Sequence, residues 1–154
     1  MRDPALLDYL VEFHSKRNYF ECHEVLERRW MQDTQRDVRW KSLLQLAVGC
    51  YHHRRGNFSG ASKVYNRALT HLAANLAAIT ELGFLATALV ELTIQLQIDA
   101  TNQVPYQSVQ LPMDTQLLSD YQAYCEAQGI KALVMDTITD PALIDAHLPQ
   151  YRND

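Results

Sequence analysis

The residues best equipped for chemistry lie in one short stretch, "YFECHEVLERRW" (Tyr19 to Trp30), which holds a histidine and three glutamates among large apolar side chains. His23 and Glu27 are four apart, and on a helix residues four apart share a face. Glu24 and Glu27 are three apart and also neighbour each other, whereas Glu24 is turned about 100° from His23 around the axis. The three groups therefore converge only on a point at the edge between them. Phe20 and Trp30 flank this face one turn away on each side. Apolar neighbours lower the local dielectric, so a carboxylate there is costly unless it is paired or bound to a cation.

Further along, Gln45, Gly49 and His52 form a matching row, since seven residues make nearly two helical turns. If the two helices pack antiparallel, His23, Glu24 and Glu27 face Gln45 and His52. Histidines with carboxylates suit zinc, manganese or iron, with water in an open position. A metal-bound water is a nucleophile at neutral pH, and a free glutamate nearby can serve as its base. The same residues also admit a structural reading. The zinc-protease pattern is H-E-x-x-H, and here "HEVLE" puts Glu27 where the second histidine belongs. Glu24 and Glu27 can pair instead with Arg28, Arg29 or Lys41 and form a satisfied polar network.

A second stretch, "HHRRGNFSGASK", ends one helix and opens the next. Cations at a helix C-terminus complement its dipole. The functional alternative is an anion site built from Arg54, Arg55 and the free amides of the following helix. Gly49 costs about 1 kcal/mol in mid-helix and leaves a gap for a close approach by a helix or a ligand. Gly60-Ala61 reads as a close helix–helix contact. Cys22 and Cys50 read as small apolar side chains, and Tyr9, Phe13, Tyr19, Phe20, Trp30 and Trp40 as core.

The elements that must position these residues are helical. The chain has 154 residues with five glycines and five prolines, and apolar residues recur three and four apart. Asp3-Pro4 caps a first helix to about residue 16; a second runs from about Tyr19 to Gln32; Asp37 caps a third that ends near Gly56. Asn57 or Ser59 starts a fourth through Leu72, and a fifth apolar segment covers 84 to 98. After Ala100, "TNQVPYQSVQLPMD" reads as an extended connection with room for a very short strand. Asp114 caps a helix over Thr115 to Gln128, ended by Gly129, and Asp140-Pro141 opens a short last one. The expected fold is all-α: a compact helical bundle over residues 1–100, with 101–154 adding the extended segment and two short helices in the same single domain.

Composition narrows the function. A net charge of −4 argues against nucleic acid as a partner. The most apolar segment, "GFLATALVELTIQLQI", is too short and too interrupted by polar residues to span a bilayer. Three cysteines without ligand spacing, and no apolar leader at the N-terminus, point to reduced thiols in a cytoplasm.

"YFECHEVLERRW" followed by "LLQLAVGCYHHRRGNFSGASK" resembles the all-helical family known as domain of unknown function 309. The resemblance rests on Phe20, His23, Glu24, Glu27, Trp30, Gln45, His52, Gly56, Asn57, Gly60 and Ala61, within about residues 9 to 72. That family is catalogued as predicted metal-dependent hydrolases. The resemblance implies His23, Glu27 and His52 as ligands of a divalent transition metal (zinc, manganese or iron), Glu24 as general base and Gln45 as the group orienting water or a small-molecule substrate. An alternative within it makes Glu24 a ligand and leaves Glu27 behind it. A second resemblance, to one tetratricopeptide-type hairpin, rests on Trp40, Leu43, Tyr51, Gly56, Asn57, Phe58, Ala61, Tyr65 and Ala68, with no second copy 34 residues away. It implies a helical interaction module that holds a protein partner in an apolar groove, with the His23 cluster sealed and structural.

Overall fold

Helix α1 (Pro4–Leu10) opens as its sequence requires: the Asp3 side chain accepts from the Ala5 amide at 2.9 Å, and Pro4 sits in the first turn, where no amide proton is needed. The structure, a computed structural model, describes residues 2–135 and 138–151. The first helix does not continue to residue 16 in α form. Val11–Ser15 is a π-helical turn that buries Val11, Phe13 and His14, and Arg17 follows in left-handed backbone at φ 53. The wider turn brings adjacent side chains inward, which a regular 3.6-residue repeat would separate.

Three more helices follow much as their caps dictate. Asn18 accepts from Glu21 N to start α2 (Tyr19–Gln32), Asp37 from Arg39 N to start α3 (Val38–Arg54), and Asn57 from Gly60 N to start α4 (Phe58–Ala74). α5 (Leu76–Leu82) is a short helix that the sequence reading did not separate; Gly83 ends it at φ 106 before α6 (Ala86–Thr101). After an extended stretch come α7 (Thr115–Ala127), the short α8 (Pro141–Ile144) and a 3-10 turn at Pro149–Tyr151. Among the described residues there is no strand, only an isolated antiparallel bridge between Phe84 and Met113. No described helix is long and apolar enough to cross a membrane.

Neighbouring helices run antiparallel. The start of α2 meets the end of α3, with Phe20 and Tyr51 ring centroids 5.7 Å apart, and the Arg29 guanidinium at the end of α2 lies 4.6 Å above Trp40 at the start of α3. α3 and α4 form a hairpin in which His53 Nδ1 accepts from Tyr65 Oη at 3.1 Å and Gln45 meets His71. α6 covers the other side of α4. Leu10, Leu26, Leu43, Leu46 and Leu72 are fully buried between these layers.

Gly49 serves the helix, not a ligand. A methyl group there would overlap the ring of Tyr65, which is itself fully buried and tied to His53. Gly49→Ala gains about 1 kcal/mol of helix propensity but must push the α3–α4 pair apart, and overpacking costs about 1–3 kcal/mol. We expect a net destabilisation of up to about 2 kcal/mol in urea unfolding; a raised melting temperature would contradict this packing. Gly60 has a different role from the expected close helix contact: a side chain there would strike the Asn57 amide that caps α4.

The extended segment stitches the last layer back to the first. His53 Nε2 donates to Val104 O (2.8 Å), the Tyr106 and Tyr19 hydroxyls meet at 2.6 Å, Arg17 Nη1 donates to Val109 O (2.6 Å), and the Leu111 amide donates to His14 Nε2 (2.9 Å). α7 then rests on α1, held by Arg2 to Asp120 at 2.8 Å. Residues 140–148 return across the end of α3.

Candidate metal centre

Antiparallel packing places His23 on the outer edge of the α2–α3 seam, half exposed. Its two ring nitrogens face different carboxylates: Nδ1 lies 3.6 Å from Glu24 Oε1, and Nε2 lies 3.6 Å from Glu27 Oε2. Among the described residues these three form the group whose donor atoms all lie within 4.8 Å of one another. Metal–nitrogen and metal–oxygen bonds of about 2.1 Å at a tetrahedral angle put two donors about 3.4 Å apart. The His23–Glu27 spacing therefore fits a shared divalent ion with little adjustment, and so does the donor chemistry.

The structural alternative drawn from the sequence required arginine or lysine partners. The structure sends those elsewhere. Arg29 bonds Asp3 at 2.8 Å, Arg28 leans to Glu21 at 3.5 Å, and Lys41 lies 5.4 Å from the centre of the Trp30 ring. Among the described residues neither Glu24 nor Glu27 has a lysine or arginine within ion-pair distance. The Glu27 side chain is 47% exposed and that of Glu24 35%, so the cluster is open to water rather than sealed.

Beside the cluster is a cleft of about 200 Å³ walled by Tyr19, Phe20, His23, Val48, Tyr51, His52 and His147. His52 is in this cleft but outside the close donor group around His23. Its ring is held below the usual histidine range, chiefly by burial and then by the charges of Arg55 and His147. Gln45 is engaged on another face: it accepts a hydrogen bond from His71 Nδ1 at 2.7 Å, between α3 and α4. Of the five residues singled out from the sequence, the structure thus joins His23, Glu24 and Glu27, places His52 across a cleft from them, and commits Gln45 to the neighbouring helix.

The basic end of α3 is not arranged to take an anion. Arg54 donates to Arg17 O at 2.6 Å and to Leu143 O at 3.0 Å, Arg55 pairs with Asp145 at 3.2 Å, and Asn57 occupies the Gly60 amide. These groups dock the C-terminal segment. Burial raises the thiols of Cys22 and Cys50, the latter to about 11, so neither offers a thiolate near neutral pH.

Two residues of this cleft escaped the sequence reading. Tyr51 reads as an ordinary apolar position of α3, and His147 sits in "LIDAHLPQY", 124 positions from His23. Only the Asp140-Pro141 cap hinted at ordered structure there, and no spacing rule connects it to α2.

Comparison with known proteins adds two findings. Residues 6–64 match the family described as "Domain of unknown function (DUF309)", a span that includes α2, α3 and the start of α4. The chain is 35% identical over 157 residues to the uncharacterized protein YpuF of Bacillus subtilis (strain 168), covering 100% of this chain and 90% of that one. No solved structure matches it significantly.

Proposed function

Because the chain belongs to the DUF309 family, whose matched region builds the His23 cluster, we propose that it is a metal-dependent hydrolase acting on a small-molecule substrate. One observation carries the reading: a histidine in the wall of a ring-lined cleft, with two solvent-open carboxylates beside it that no described cation neutralises. His23 Nε2 and Glu27 would hold zinc, manganese or iron, with open positions for water and substrate. Such an ion supplies Lewis acidity and a water that ionises near neutral pH. Glu24 lies on the other ring nitrogen, where a carboxylate fixes the orientation of a ligating histidine. This placement favours Glu24 as the partner of His23 over Glu24 as general base. His52, held below the usual histidine range by burial and the Arg55 charge, would stay neutral beside the cleft, with its Nδ1 meeting the Asn57 amide at 3.3 Å. The interaction-module alternative needs a sealed, dry cluster, and 47% exposure of the Glu27 side chain counts against it.

The test is the metal content of tag-free protein and its zinc titration by calorimetry, beside His23→Ala. Removing a partner behind a ligand typically weakens metal binding 10–100-fold, so losing the ligand itself should weaken zinc binding about 100-fold or more. Stoichiometric zinc in the wild type that is lost in a folded His23→Ala justifies a substrate screen. A wild type that binds none of the three metals ends this reading.

A further inference from the structure

Residues 140–148 reach the end of α3 and are pinned at three points: Arg54 on Leu143 O, Arg55 on Asp145, and Tyr51 on His147. The third anchor differs in kind from the others. The Tyr51 hydroxyl accepts the backbone amide of His147 at 3.1 Å and also meets the Nδ1 of the same residue's ring. With its oxygen accepting the amide, the hydroxyl proton is available to Nδ1. An imidazole that accepts at Nδ1 carries its own proton on Nε2. Among the described residues Nε2 has no hydrogen-bond partner, and the ring forms part of the cleft wall with His23 and His52. A strap needed only for adhesion gains nothing from a second nitrogen left without a partner beside a cleft.

Resting on the metal-centre reading, we propose that this strap completes the site: His147 donates a hydrogen bond from Nε2, across the cleft, to a small carbonyl-bearing ligand held at the His23–Glu27 cation, and Tyr51 sets the ring's tautomer. The ligand class follows from the walls. Among the described residues no lysine or arginine lines the cleft, its faces are rings and Val48, and its volume is below the range of drug-sized pockets, about 300–1,000 Å³. A compact ligand fits that space.

Acetohydroxamate, a small carbonyl compound that binds zinc, is the probe. Zinc-loaded full-length protein is titrated with it by calorimetry, beside His147→Asn. Asparagine can keep a polar atom near the position of Nδ1 for Tyr51 but has nothing at the position of Nε2. The expected result is unchanged melting temperature and zinc affinity, with acetohydroxamate binding about tenfold weaker, the size of one lost hydrogen bond. Equal acetohydroxamate binding by both proteins overturns the proposal and leaves the strap structural, while the metal centre stands. Loss of zinc itself in His147→Asn overturns it too, by making His147 a ligand. So does a zinc-loaded wild type that ignores the probe. A wild type that takes up no zinc removes the metal-centre reading and this one together.

Discussion

Arg17→Ala is expected to lower the unfolding free energy by about 3–5 kcal/mol, because hydrogen bonds from a charged group are each worth about 1.5–3 kcal/mol. Arg17 is fully buried, and no described carboxylate neutralises it. Its guanidinium instead bridges two chain segments, donating to Val109 O at 2.6 Å and Val134 O at 2.7 Å, with Tyr19 Oη at 3.4 Å. A planar fork of fixed donors can serve both carbonyls at once. Alanine leaves both without a partner and opens a cavity. Arg17→Lys is expected to fall between, since one ammonium cannot span both carbonyls. With total stabilities of about 5–15 kcal/mol for domains, the alanine variant approaches the edge of folding. Urea unfolding at neutral pH measures this directly. A loss under about 1 kcal/mol would mean that the 104–113 and 130–135 segments are held by other contacts.

The second large effect depends on pH. His14 is buried, and burial, reinforced by the charge of Arg17, lowers its pKa from 6.5 to about 3. Its Nε2 accepts from the Leu111 amide, so the folded protein needs the neutral ring. The folded pKa lies below the unfolded one, so the unfolded chain binds the proton more readily as pH falls. The stability tied to His14 is therefore fully present above about 6.5 and is lost progressively from there toward about 3. Between pH 6.5 and 5 this amounts to about 2 kcal/mol. His14→Gln keeps an acceptor for Leu111 but does not titrate. Its stability should vary less with pH over the same interval than that of the wild type. Parallel pH profiles for the two proteins would show that His14 does not carry the effect.

These predictions lie in the part of the molecule that the sequence made hardest to read. The helices near the cluster were legible because their signals are local. Asn18, Asp37, Asn57 and Asp114 each cap the helix that follows, and α2 has the limits that its apolar spacing implies. Grouping His23, Glu24 and Glu27 needed only the helical repeat. The π-helical turn after α1 was not legible, because "VEFHS" satisfies a regular helix equally well and the wider turn is chosen by the burial of Phe13 and His14. The separation of α5 from α6 depends on Gly83 taking φ 106, a conformation that glycine permits but does not announce. Gln45 and His52 share a stripe, yet that stripe borders two seams: Gln45 turns to His71 on α4 and His52 to the cleft beside α2. Helical periodicity gives an angle around an axis, not which neighbour waits there.

What the sequence by itself determined is the all-helical class, the starts of the capped helices and the grouping of His23, Glu24 and Glu27 on α2, since each rests on residues within a few positions of one another. What only the tertiary structure decided is how that donor set is surrounded. It drew Arg29 away to Asp3, left Glu24 and Glu27 without a described cation, and laid a strap from the far end of the chain so that His147 meets Tyr51 beside His23. Such contacts join residues from 26 positions apart, as Arg29 and Asp3 are, to 96, as Tyr51 and His147 are. Their energies come from buried carbonyls finding Arg17 and Arg54, and no short-range pattern in the chain encodes that pairing.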